Sequence, residues 1–226
     1  MKDRVLSWVL LFLCFAPILI AVIGVQFLPD QIPIHYNAAG EIDQWGSKYA
    51  QIVIGIVFSA SGWLLWLVSK FSHCFADTAE ELAKAKANAK IVLATGIAVQ
   101  LLMSALQVMF VIGAYTEAQS GAAETVMPIY KVMGIGIGLL FLVLGNVMPK
   151  AKPNNLMGVR TIWSYSSEAA WRKSQRAGGI AFAAAGVACI VLTLLLHGFV
   201  IFWVIMGATA AAAIASIYLS WKYSRE

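Results

Sequence analysis

The side chains able to do chemistry are few in this chain. Eleven Asp and Glu and three His are spread through 226 residues. His35, Glu41 and Asp43 lie close together and could offer a metal ion one imidazole and two carboxylates, but their spacing matches no standard ligand set. His73 and His197 stand far from them. The sequence contains no HExxH, no Walker A loop, no GxSxG elbow and no glycine-rich dinucleotide turn. Cys14, Cys74 and Cys189 have no metal-ligand spacing, and an odd number cannot pair fully within one chain. They read as small hydrophobes, two in apolar runs and Cys74 in a polar loop. The expectation is a protein without catalytic residues, cofactor or bound metal. A membrane-embedded hydrolase would need His35, Glu41 and Asp43 to converge on a metal.

One further set of polar groups sits where polarity is costly. Gln100, Ser104 and Gln107 are spaced i, i+4, i+7 inside an apolar segment, on one helix face. Unpaired amides in hydrocarbon are unfavourable, so that face should turn toward other helices. It could bond across a packed interface, or line the path of a small solute through a transporter or channel. No Asp, Glu or Arg lies deep within an apolar segment, and Lys131 is near the end of one. That pattern argues against a proton relay or a charge-coupled pump.

The elements holding these residues follow from composition. The chain is 61% hydrophobic and 12% charged, with a mean hydropathy of +0.80. Soluble domains are roughly 45–50% apolar and about 25% charged. These values exclude a soluble globular domain, a disordered chain and a disulfide-stapled secreted module, and they indicate a polytopic membrane protein. A spanning helix needs about 20 apolar residues. Six segments qualify, near 5–28, 49–69, 91–115, 127–148, 178–196 and 199–221. The first follows basic Lys2 and Arg4, but it is too long for a signal-peptide core and lacks a cleavage site, so it reads as a retained span. The expected fold is all-α: a six-helix transmembrane bundle with one structured loop on each side.

Charge sets the expected orientation. Fourteen of the sixteen Lys and Arg fall at the termini and in the second and fourth connectors; only Lys48 and Lys131 fall on the other side. The positive-inside rule then places both termini on the cytoplasmic side of the membrane. The net charge of +5 is thus a topology signal rather than a nucleic-acid footprint. In the 71–90 segment, Thr78 and Glu81 form a capping-box pattern, with Asp77, Glu80 and Glu81 at the positive end of a helix dipole. Glu80 and Lys84 are spaced to pair. This helix should run unbroken into the third span.

Close packing is expected at small residues. Gly134 and Gly138 make a GxxxG step in the fourth span, and Gly207, Ala211 and Ala215 repeat at four-residue spacing in the sixth.

Two connectors carry more specific side chains than a link requires. The outer one, 29–48, reads LPDQIPIHYNAAGEIDQWGSK from Leu28. Pro29 ends the first span, the alternation of Ile32, Ile34 and Tyr36 suits a short strand, and Asn37 and Gly40 suit a turn. Trp45 and Tyr49 fit an interfacial anchor before the second span. His35, Tyr36, Asn37, Gly40, Trp45 and Gly46 are the candidates for contact with an extracellular ligand or for holding the loop. The cytoplasmic connector reads GNxMPKxKPNxxxGxRTxWxxSSExxWRKSxRxGG from Gly145 to Gly179. Pro149 and Pro153 should stop the fourth span. Asn154, Arg160 and Thr161 should fix loop geometry, and Ser166 or Ser167 should cap a short helix opened by Glu168. Trp171, Arg172, Lys173 and Arg176 suit a headgroup interface, and Gly178-Gly179 should allow a bend into the fifth span. Asn146, Lys150, Gly158 and Trp163 complete the set of candidates.

The Gly145–Gly179 motif resembles the SdpI family of bacterial membrane immunity proteins. The outer stretch is similar to the domain of unknown function that often precedes the SdpI module. The resemblance implies a role in immunity to a membrane-active peptide toxin and in signalling, with a transcriptional repressor held at the cytoplasmic face. It brings no catalytic residues. The partners it implies are an extracellular peptide toxin, a cytosolic repressor and membrane lipids, without direct contact to nucleic acid. The corresponding division is a two-helix unit over 1–70, a cytoplasmic extension over 71–90, the third and fourth spans over 91–144, and the SdpI-like connector with its hairpin over 145–226.

Overall fold

The computed structural model describes residues 2–37, 39–75, 78–121, 129–154 and 157–226. Seven helices run in chain order: α1 (Lys2–Leu13), α2 (Ala16–Gly24), α3 (Ala50–Phe71), α4 (Ala79–Ser120), α5 (Ile129–Val147), α6 (Glu168–Leu195) and α7 (Val200–Tyr223). A two-stranded sheet, β1 (Gln31–Tyr36) and β2 (Ile42–Ser47), lies between α2 and α3. Among the described residues, six helical segments are long and apolar enough to cross a membrane: Asp3–Gly24, Ala50–Cys74, Ala79–Ser120, Tyr130–Lys150, Glu168–Leu195 and Val200–Tyr223. The chain is a multi-pass membrane protein, mostly helical.

The first span is interrupted. Pro17 sits in the first turn of α2, where it has no N–H to donate and its ring blocks a helix continuing from α1. The chain turns at Cys14–Phe15 and then resumes its climb. The sequence reading had one unbroken helix there.

Helix α4 is the long one. Thr78 adopts an extended conformation and its Oγ1 accepts the Glu81 N–H at 3.1 Å, which is the expected cap. Glu80 and Lys84 pair at 2.5 Å. Asp77, expected to join them, falls outside the described residues. The helix continues for 42 residues and stops at Gly121, whose φ of 62° is left-handed. At about 1.5 Å per residue this rod is roughly 60 Å long. It packs against α1, α2 and α3, and also against α5.

Helices α5, α6 and α7 form a second group. Glycines set how closely α5 and α6 approach. A Cβ on Gly186 would lie 2.6 Å from the Gly138 carbonyl oxygen, and one on Gly179 would lie 2.6 Å from that of Gly145. The helices therefore meet backbone to backbone along their length. This corrects the reading of Gly178-Gly179 as a bend, because α6 runs unbroken from Glu168 to Leu195 and these glycines are contact surfaces. The small face of α7 also differs from the expected one. Ala212, Ser216 and Ser220 are buried, whereas a Cβ built on Gly207 would meet nothing within 4 Å among the described residues outside its own helix backbone, and Ala211 is exposed.

Candidate functional site

Two loop elements lie at opposite ends of the bundle, and side chains of α4 reach both. At one end is the hairpin. β1 and β2 pair antiparallel, with register irregularities between Pro33 and Tyr36. The turn is held by Asn37, whose Oδ1 accepts the N–H groups of Ala39 at 2.9 Å and Glu41 at 3.0 Å. Gly40 adopts a φ of 89°, which a side chain would strain. Ile32 is fully buried in a cluster with Val25, Leu28 and Ala114, so the hairpin is packed onto the ends of α2 and α4. Gly46 makes room for Ile34 across the pair, and Trp45 is 43% exposed.

The polar groups of the hairpin divide into separate pairs. His35 Nδ1 lies 2.6 Å from Asp43 Oδ1, while Glu41 accepts from the Asn37 amide at 2.6 Å. Among the described residues, no three His, Cys, Asp or Glu side chains cluster as a metal site would require. The convergence of His35, Glu41 and Asp43 that a metallohydrolase needs is therefore not formed here.

Tyr36 links the hairpin to α4 through its hydroxyl. Its phenol donates to Glu117 Oε2 at 2.6 Å. Glu117 is completely buried near the end of α4. Burial, reinforced by the hydrogen bond and the charge of Glu117, pushes the Tyr36 phenol well above the usual tyrosine range. The sequence does not single out Glu117, which lies at the end of an apolar segment rather than deep within it. The available signal was an acidic residue less than a turn beyond the last apolar position of the third span.

At the other end, three buried side chains grip the connector backbone. Asn88 of α4 donates to the Lys152 carbonyl at 3.2 Å and accepts the Lys152 N–H at 2.9 Å. Gln175 of α6 does the same to Val159, at 2.9 Å in both directions. Trp171 donates its indole N–H to the Ala151 carbonyl at 2.8 Å. A buried backbone amide without a partner is costly, so these clamps make an irregular segment tolerable beside the membrane. Neither Asn88 nor Gln175 was singled out from sequence. An amide among small helical residues was the only signal, and it does not say what it will hold.

The connector adds its own bonds. Asn154 accepts the Met157 N–H at 2.8 Å and donates back to the Lys152 carbonyl at 2.7 Å. Thr161 and Ser164 exchange three hydrogen bonds through their side chains and one through their backbones, and the Thr161 hydroxyl reaches Ser220 of α7. Gly158, with a φ of 92°, brings the backbone onto Gln175. Ser167 caps α6 by accepting the Ala170 N–H at 3.0 Å. Lys150 donates to Asn146 at 3.2 Å, and Arg172 pairs with Glu168 at 3.5 Å.

The first turns of α6 differ from the expected headgroup-facing helix. Trp171 is 2% exposed and its ring lies 5.0 Å from that of Tyr165 at a tilt of 40°, so it points into the protein. Arg160, Arg172 and Arg176 are exposed, while Trp163 is partly covered. Pro149 lies in a 3-10 turn that ends the fifth helix, and Pro153 follows it in the loop. Beside this connector, a cleft of about 800 Å³ opens between the end of α3 and α4, with Leu67, Phe71, Lys84, Asn88, Met157 and Tyr165 on its walls.

The polar face of α4 between the two ends is used for packing. Gln100 donates to the Phe58 carbonyl at 2.9 Å and to Ser61 at 3.1 Å, with Gly62 making the space. Gln107 donates to Gln51 Oε1 at 3.1 Å. Ser104 turns back to the carbonyl of Gln100 on its own helix, at 2.7 Å. Gln100 and Gln107 are fully buried against α3.

Comparison with known proteins agrees with this arrangement. Residues 12–59 match the domain of unknown function DUF1648, a stretch that covers α2, the hairpin and the first part of α3. Residues 150–220 match the SdpI/YfhL protein family, which covers the clamped connector, α6 and most of α7. No solved structure matches the chain. The Immunity protein SdpI of Bacillus subtilis (strain 168) is 24% identical over 220 residues, 96% of this chain and 94% of that protein. A DUF1648 segment and an SdpI/YfhL segment thus share one chain with six candidate spans, and that chain is similar to Immunity protein SdpI over nearly its whole length.

Proposed function

We propose that the protein is a non-enzymatic immunity protein of the bacterial cytoplasmic membrane, protecting against a membrane-active peptide toxin. In this reading both termini face the cytoplasm, the hairpin faces outward and the clamped connector faces inward, as the distribution of Lys and Arg suggests. Similarity to Immunity protein SdpI over nearly the whole chain supports the toxin-related role. The observation that carries the mechanism is that one helix holds both loop elements. Glu117 of α4 bonds the hairpin through Tyr36, and Asn88 of the same helix bonds the connector at Lys152.

A peptide meeting His35, Tyr36, Asn37 and Trp45 would change the hairpin's fit on α4. Because α4 is continuous from Ala79 to Ser120, a shift at Glu117 moves Asn88 with it. The connector then reports the event to a cytosolic partner, such as a transcriptional repressor. The cleft beside Tyr165 supports that step by offering apolar walls and a charged rim in the cytoplasm. The use of Gln100 and Gln107 in packing favours this reading over a solute path.

The test is survival of a toxin-sensitive bacterium expressing this chain, challenged with a secreted membrane-active peptide toxin. An empty vector and the variants Trp45→Ala, Tyr36→Phe and Arg160→Ala run beside it, with membrane expression checked. Protection by the wild type and its loss with Trp45→Ala or Tyr36→Phe is expected. No protection at normal expression refutes the immunity role. Full protection by all three variants refutes the route through the hairpin and connector.

A further inference from the structure

A second cavity, of about 390 Å³, lies at the connector end, lined by residues of α4, α5, α6, α7 and the loop between α5 and α6. Its volume falls in the roughly 300–1,000 Å³ range of small-molecule sites. Its walls are apolar, formed by residues such as Ile91, Leu144, Phe182, Ala213 and Ile217. Arg160 is the single charged residue among the described residues that line it. The two kinds of wall face different media. Ile217 is 49% exposed on α7, a helix apolar enough to span, so this side of the cavity opens toward hydrocarbon. Arg160 belongs to the polar connector and is exposed there. Thr95, also on the wall, keeps a buried hydroxyl with no hydrogen-bond partner among the described residues.

A site with hydrocarbon-facing walls, one guanidinium at its mouth and a spare hydroxyl within suits an amphiphile with an anionic head and an apolar tail. A guanidinium binds phosphate through paired N–H donors, and a chain in the cavity removes apolar wall from water. We propose that this cavity takes one acyl chain of an anionic phospholipid from the adjacent leaflet, with the phosphate at Arg160 and the Thr95 hydroxyl turned to an ester oxygen. The lipid would join the SdpI-like connector to α7 and make the connector's geometry sensitive to the lipid composition of the membrane. This inference needs the protein to lie in a membrane and does not depend on the toxin reading.

The full chain, purified in detergent and stripped of lipid, would be titrated with phosphatidylglycerol or with phosphatidylethanolamine of identical chains, with bound lipid counted by native mass spectrometry. Wild type is expected to bind phosphatidylglycerol at least tenfold more tightly. Arg160→Gln should bring the two lipids within twofold, and Arg160→Lys should keep part of the preference. Ala213→Leu, which fills the cavity and leaves Arg160 in place, should weaken both lipids at least fivefold. Thermal unfolding identifies any variant that fails to fold, and the wild-type comparison stands without them. Equal binding of the two lipids by wild type, an unchanged preference in Arg160→Gln, or full binding by folded Ala213→Leu would each overturn the proposal. Binding of laurate in place of phosphatidylglycerol would overturn the choice of a phospholipid.

Discussion

Replacing Tyr36 with Phe tests the bond that ties the hairpin to α4. The substitution keeps the ring and removes one donor, leaving the packing around Ile32 intact. Glu117 is completely buried, so solvent does not replace the lost donor. A hydrogen bond to a charged group contributes about 1.5–3 kcal/mol. In a chain of this length each kcal/mol corresponds to about 2–4 °C in Tm, so Tyr36→Phe should lower the transition by about 3–12 °C. Thermal unfolding in detergent, followed by intrinsic fluorescence or circular dichroism, reads this directly. Glu117→Gln and the double variant complete a cycle that isolates the pair. The coupling should fall between about 1 and 3 kcal/mol, since residues in one hydrogen bond are not additive. Effects that add to within about 0.5 kcal/mol would refute the pairing, and with it the role of α4 as the link between the two loops. The pH dependence carries its own sign. The Tyr36 phenol titrates above its unfolded value of 10.0, so its contribution is complete below that value. The difference between wild type and Tyr36→Phe should therefore hold steady at neutral pH and start to shrink only above about pH 10.

Other perturbations separate the remaining contacts. Gly179→Ala forces a Cβ toward the Gly145 carbonyl and should cost about 1–3 kcal/mol, whereas Gly207→Ala meets nothing and should be neutral or stabilising by up to about 1 kcal/mol; equal effects on Tm would refute backbone contact between α5 and α6. Gln175→Leu strands the N–H and carbonyl of Val159 in a buried place, at a cost of about 2–5 kcal/mol, and proteolysis should then open the connector before the helices; an unchanged cleavage pattern refutes the clamp. Cys74 is the exposed thiol of the three cysteines, so a membrane-impermeant maleimide should label it in inside-out vesicles and not in intact spheroplasts. The reverse pattern would refute the proposed orientation.

What could be read along the chain was whatever depends on neighbours in sequence. Hydropathy sums over about twenty residues, so the six spans were legible without any tertiary knowledge. The cap at Thr78, the pair Glu80–Lys84 and the Asn37 turn each involve groups within four residues, and their chemistry was visible in the sequence. Contacts between distant residues were not. Tyr36 meets Glu117 across 81 positions, Asn88 meets Lys152 across 64, and Gln175 meets Val159 across 16. Nothing local distinguishes an amide that grips a distant backbone from one that faces solvent. The same holds for direction around a helix. Trp171 beside Arg172 and Lys173 reads equally well as an interfacial belt or as an inward anchor, and only its indole bond to Ala151 decides. In α7 small residues lie on more than one face, so their four-residue spacing does not say which face packs. Sequence by itself therefore determined which segments lie in hydrocarbon, because the cost of burying polar groups there is local and large. Tertiary structure alone decided which faces meet and which side chains hold the loops, because those choices depend on partners that only folding brings within hydrogen-bond reach.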